Sequence, residues 1–368
     1  MVSPEQEEGP PLSSGRLSAP DDVPVPGPAG QRRPLGLLLR VLLVLVAVGL
    51  VVVFRHRIAE WWDGLVGVAW KWVLLAAVVQ LLSMQCLVEQ QRGLLRAGGG
   101  SAPLGSATST IYAGNAISAT VPVAGAAASA AYIYRRLHAL GNSTGLVGWA
   151  LAVSGIAATA SLAVVLAVGS AVTGSLVGAL GAFLATVAGV VPVVGLVLVL
   201  RHARTRAVVV RWVSRAAAVL GRWVPALRSD RVGLRVDELL SSLGSFRLSP
   251  LAGSAAGFYA LANWVLDVAT LALALVAVGA PVPWQGLLLA WAAGALASSA
   301  RLTPGGIGVV ETALASALVA AGLPASQAVP AVLVYRLVSL WLLVGIGALF
   351  LVATPAGRRR TPDDAAQA

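Results

Sequence analysis

Long apolar runs, two of them broken by proline and glycine, constrain this chain more than any other feature. Leu35 to Phe54 is a run of twenty residues. At 1.5 Å per helical residue it covers a hydrocarbon core of about 30 Å. Similar runs recur at Trp72 to Val88, Leu146 to Val168, Gly174 to Leu200, Ala255 to Val278 and Gln327 to Val352. The chain is 58% hydrophobic and only 11% charged, whereas soluble domains carry about a quarter charged residues. These features predict an all-α polytopic membrane protein with six full transmembrane helices.

Two further apolar stretches do not read as simple spans. Gln285 to Ala321 is interrupted by Arg301-Leu302-Thr303-Pro304-Gly305-Gly306-Ile307-Gly308-Val309-Val310-Glu311. Pro304 removes a backbone donor and disfavours helix at Thr303. Gly305, Gly306 and Gly308 let the chain turn sharply and let a ligand approach the backbone. Val309 then opens a helix with Glu311 in its first turn, where the helix dipole favours an anion. Pro103 to His138 is broken in the same way at Ala119-Thr120-Val121-Pro122-Val123-Ala124-Gly125. Broken backbone at membrane depth is tolerated only against protein or a water-filled cavity. Each stretch is therefore expected to be a re-entrant hairpin of two half-helices.

Charge sets the expected topology. The net charge is +11, and Lys71 is the only lysine. The arginines flank apolar runs, which fits topology signals and anionic-lipid contacts and argues against nucleic-acid binding. Arg32 and Arg33 place the N-terminus in the cytoplasm. Arg201 to Ser249, with ten arginines against Asp230, Asp237 and Glu238, is the strongest cytoplasmic marker. Arg358-Arg359-Arg360 puts the C-terminus on the same side. Residues 1–31, rich in Pro, Gly, Ser and Glu, and residues 354–368 read as disordered cytoplasmic tails. The membrane domain is then 32–353, in the cytoplasmic (inner) membrane. Trp61, Trp62, Trp70 and Trp72 mark an interfacial segment after the first span.

The two broken segments resemble each other. Ala113-Gly114, Ser118, Ala119 and Pro122 match Ala293-Gly294, Ser298, Ser299 and Pro304. Each sits in a unit of span, broken hairpin, span, over about 65–168 and 255–352. With the arginines as signposts, the first hairpin enters from the cytoplasm and the second from outside. That is an inverted repeat, a transporter pattern with the substrate site between broken helices.

The site candidates follow from this layout. Glu311 needs a partner at such depth, with Arg336 the first choice and Arg301 the second. Arg336 could equally clamp a lipid phosphate with its guanidinium fork. Asn263 and Asp267, one turn apart, share a helix face. They are a site pair or a buried polar pair locking helices. Tyr112, Asn115 and Pro122 are the first-hairpin candidates, and Tyr335 stands beside Arg336. Gln80 and Gln85 should face the bundle interior. Cys86 is the only cysteine, and His56, His138 and His202 each lie near arginines at span ends. No cofactor or metal site is predicted. Walker, zinc and nucleophile-elbow patterns are missing, so the chain reads as non-enzymatic.

Leu302-Thr303-Pro304-Gly305-Gly306-Ile307-Gly308-Val309-Val310-Glu311, followed by Gly322-Leu323-Pro324 and Tyr335-Arg336, resembles the closing signature of the lysylphosphatidylglycerol synthase transmembrane region family. Tyr112-Ala113-Gly114-Asn115 through Val121-Pro122 and Gly125 is similar to its first-half motif. The resemblance covers about residues 35–352. It implies a flippase-like membrane domain that moves a lipid product, without the soluble aminoacyltransferase domain of the longer enzymes. Many members carry Gly-Glu-x-x-Arg after the first-half proline. Here Gly125-Ala126-Ala127-Ala128-Ser129 has neither charge, which shifts the polar burden to the second hairpin and to Arg135 and Arg136. The expected function is a lipid flippase or lipid-linked transporter for an anionic phospholipid or polyprenyl-linked envelope precursor. The alternative is a non-catalytic scaffold that partners envelope-biosynthesis enzymes.

Overall fold

The computed structural model describes residues 67–173, 248–299 and 303–353, with scattered positions between 183 and 215. Among these every regular element is helical. The first group is α1 (Trp70–Ala97), α2 (Leu104–Thr120), α3 (Gly125–Ala139) and α4 (Thr144–Thr173). The second is α5 (Pro250–Ala277), α6 (Trp284–Ser299), α7 (Val309–Ala320), α8 (Ala325–Arg336) and α9 (Leu343–Ala353). A 3-10 turn, Pro304–Gly306, separates α6 from α7, and a π-helical stretch, Leu337–Leu342, joins α8 to α9.

Four helical units are long and apolar enough to cross a membrane: α1, α4, α5 and the continuous Ala325–Ala353. They occupy the places expected for the second, third, fifth and last spans. The expected span 35–54, most of the expected span 174–200 and of the basic loop 201–249, and both tails lie outside the described residues. α1 runs to Ala97, nine residues past the Val88 limit expected from hydropathy. Its charges do not end it because they are paired. Arg92 meets Glu89 at 2.6 Å and donates to the Ala102 carbonyl at 3.1 Å.

Both expected breaks are present. α2 stops at Thr120 and α3 starts at Gly125, with Pro122 between them. Small residues then bring each pair of short helices together. A Cβ on Gly114 of α2 would lie 2.7 Å from Ile133 Cδ1 of α3. A Cβ on Gly294 of α6 would lie 2.6 Å from Leu314 Cγ of α7.

The two groups of helices match in detail. α5 begins and ends 180 residues after α1, and Pro103 and Pro283 precede α2 and α6. Both α1 and α5 close on a positive-φ glycine, Gly99 and Gly279, with Gly100 N–H donating to Leu95 O and Ala280 N–H to Leu275 O. α2 packs on α9 as α6 packs on α4, and α1 packs along α5. At that crossing Ser83 and Asn263, 180 residues apart, bond to each other. Asn263 Nδ2 donates to Ser83 Oγ at 2.7 Å, and Ser83 Oγ donates to the Asn263 carbonyl at 2.9 Å. One apolar core lies around Leu271, Trp291, Leu314 and Val332, and the other around Leu94, Leu95, Leu137 and Val147.

Candidate functional site

A cavity of about 400 Å³ lies where the short helices α2, α6 and α7 meet α1, α5 and the α8–α9 unit. Its wall carries Asn115, Asn263, Asp267, Gly305, Gly306, Tyr335 and Arg336 from the expected set. Glu311, Gly308, Pro304 and Pro122 are not on the wall, and Arg301 lies outside the described residues. Arg135 and Arg136, expected to share the polar burden, do not line it either. Tyr112 is buried instead, with its hydroxyl toward the Leu81 carbonyl at 3.4 Å. Gln80 is buried on the wall, whereas Gln85 is half-buried at Glu89.

The Pro-Gly-Gly turn builds one side. Thr303 is extended, and Pro304 starts the 3-10 turn. Gly305, Gly306 and Gly308 then take φ of 63°, 68° and 86°, the left-handed region that other residues avoid. The turn delivers the Gly308 N–H to Glu311 Oε2 at 2.6 Å, which caps the first turn of α7. Glu311 Oε1 accepts from Arg336 Nε at 2.7 Å. Arg336 Nη2 also donates to the Gly305 carbonyl. The guanidinium therefore ties α8 to the turn, and Glu311 stands behind it as a positioning group. Arg336 is 8% exposed, so it needs such a partner. The π-helical stretch begins one residue later and turns Ser339 and Leu340 onto the same wall.

Asp267 builds the opposite side. Its Oδ2 accepts from Trp291 Nε1 at 2.8 Å and from the Tyr335 hydroxyl at 3.0 Å. Arg336 stands near it, but the salt bridge of that guanidinium is to Glu311. Trp264 lies edge-on to Trp291 at 5.4 Å and also lines the cavity. The sequence carried no signal that would single out Trp291, which lies in a continuous apolar run. Ser298 and Ser299 were visible only as part of the repeat match.

Positions 180 residues apart face the cavity together. Ser83 pairs with Asn263, Met84 with Trp264, Leu87 with Asp267, and Ser118 with Ser298. The shape is thus shared by the two groups of helices, but the charge is not. Gly155 and Ala130 stand where a shift of 181 residues would put the counterparts of Arg336 and Glu311. Among the described residues no group of three His, Cys, Asp or Glu side chains could hold a metal ion.

Four spanning helices, paired broken helices and a polar cavity inside apolar walls define an integral membrane protein. The chain belongs to the lysylphosphatidylglycerol synthase TM region family, whose model matches residues 37–347. No curated protein gives a significant match.

Proposed function

We propose that this protein moves a lipid or lipid-linked envelope precursor across the cytoplasmic membrane without chemical change to it. The observation that carries the reading is the polar cavity set between α2 of one broken pair and α6 and α7 of the other, with Arg336 and Asp267 on an otherwise low-charge wall. Ionisable groups at membrane depth are costly and face functional cavities. In this reading the α2–α3 and α6–α7 pairs are re-entrant hairpins, and the chain has six full spans. The two units form an inverted repeat about the Ser83–Asn263 crossing, so each hairpin opens the cavity to one leaflet in turn. The matched helix ends, the matched cavity positions and the shared packing of α2 on α9 and α6 on α4 support the duplication. The family membership supports a lipid as the cargo.

Reconstitution in liposomes tests the reading. Leaflet accessibility of labelled phospholipids and polyprenyl phosphates is followed with the full chain. The expected result is faster exchange with the wild type, lost in a folded Glu311→Gln/Arg336→Ala variant. Undiminished exchange in that variant would sink the site assignment. No exchange of any lipid would favour the scaffold role.

A further inference from the structure

The cavity shows which headgroup chemistry it lacks. Three polar groups on its wall, from three different spans, have capacity left over. Gln80 of α1 is 5% exposed, and its Oε1 is buried with no donor. Ser339, in the π-helical stretch, has a buried hydroxyl with no hydrogen-bond partner. It approaches the Tyr335 hydroxyl without meeting bonding geometry. Asp267 of α5 takes both of its close donors on one oxygen, Oδ2, and lies within reach of Gln80. Buried polar atoms left unmet cost about 1–3 kcal/mol each, so a cluster of them on one wall marks a place for an occupant.

The occupant must donate hydrogen bonds, because Gln80 Oε1 and the Asp267 carboxylate only accept. A bare phosphate accepts and does not donate when ionised. Nor does the wall offer phosphate a free cation. Arg336 gives Nε to Glu311 and Nη2 to Gly305 O, and two carboxylates stand near this single guanidinium. An ammonium group donates to all three oxygens and suits the Asp267 charge, but it has no lone pair to accept the Ser339 proton. A hydroxyl does both and is indifferent to the cation. The breadth of the site, across α1, α5 and the α8–α9 unit, calls for several hydroxyls on one group.

We infer that the cavity binds a hydroxyl-rich headgroup, a sugar or polyol, through Gln80, Asp267 and Ser339, leaving any lipid phosphate outside the Arg336–Glu311 pair. The inference rests on the lipid-transport reading and names the headgroup class for it.

Binding is measured apart from transport, so the two can fail separately. The purified full-length protein is titrated with short-chain lipids of four headgroups, and thermal stabilisation is read. The probes are a glycosyl diacylglycerol, phosphatidylglycerol, phosphatidylethanolamine and phosphatidic acid. The glycosyl lipid and phosphatidylglycerol are expected to stabilise most. Gln80→Leu and Ser339→Ala should each weaken them about tenfold, the worth of one hydrogen bond of about 1.4 kcal/mol. Neither change should alter the weak response to phosphatidic acid. Equal stabilisation by phosphatidic acid, stronger binding of phosphatidylethanolamine, or no response to any hydroxylated lipid would overturn the inference. Should Gln80→Leu fail to fold, Gln80→Glu with the same panel replaces it; unchanged hydroxyl-lipid binding in that variant also counts against the site. Lipid exchange in liposomes, scored independently, decides the transport reading.

Discussion

Glu311 and Arg336 act as one unit. The pair is only partly open, with side chains 24% and 9% exposed. Removing one member of such a pair leaves the other uncompensated, which costs about 3 kcal/mol or more. Glu311→Ala alone should therefore lower the thermal unfolding midpoint clearly in detergent. Replacing both, as Glu311→Met/Arg336→Leu, should cost much less, because no charge is left stranded. Equal losses in the single and double variants would contradict the pairing. Asp267 differs, since its partners are neutral donors. Asp267→Asn keeps the shape and removes the charge, so it should leave the unfolding midpoint nearly unchanged while reducing lipid exchange several-fold. A large fall in midpoint with normal exchange would make Asp267 a structural lock between helices.

At the scale of elements, the breaks were legible and the helix lengths were not. Pro304 with three nearby glycines, and Pro122 in an apolar run, announce themselves through backbone chemistry. The place of Glu311 in the first turn of α7 was readable, and the fold adds its bond to the Gly308 N–H. The extension of α1 through Glu89, Arg92 and Arg96 could not be read from hydropathy, because it depends on a carboxylate and a carbonyl that meet Arg92 only in the fold. The place of Asp267 followed the same logic. Its helix face was readable, but its Trp291 partner lies on another helix, 24 residues away. The glycines of the turn rank themselves. A Cβ on Gly308 would meet nothing within 4 Å, so Gly308→Ala should cost only its backbone term at φ 86°, about 1–2 kcal/mol. Gly306→Ala adds a clash with Val310 to φ 68° and should unfold at a lower temperature than Gly308→Ala. Gly294→Val, which drives into Leu314, should loosen α6 from α7 at about 1–3 kcal/mol. The reverse ranking of the two turn variants would mean that the turn is set by its surroundings and not by its own dihedrals.

For the whole molecule, the proposed arrangement is two similar units that face opposite ways around one cavity. The proposed duplication accounts for helix ends and cavity positions that recur at nearly constant separation, and for the meeting of Ser83 and Asn263 at the crossing of α1 and α5. The chemistry departs from the repeat. One unit supplies Asp267, Glu311 and Arg336, while the other supplies the same shape with Leu87, Ala130 and Gly155 in the matching places. The orientation of the units can be measured directly. Ser143 precedes α4 and Ser326 lies in the first turn of α8, and both are exposed. Single cysteines at these two positions, on a Cys86→Ser background, are labelled in intact vesicles with a membrane-impermeant maleimide. The two cysteines are predicted to react from opposite sides of the membrane; labelling of both from the same side would contradict the inverted arrangement.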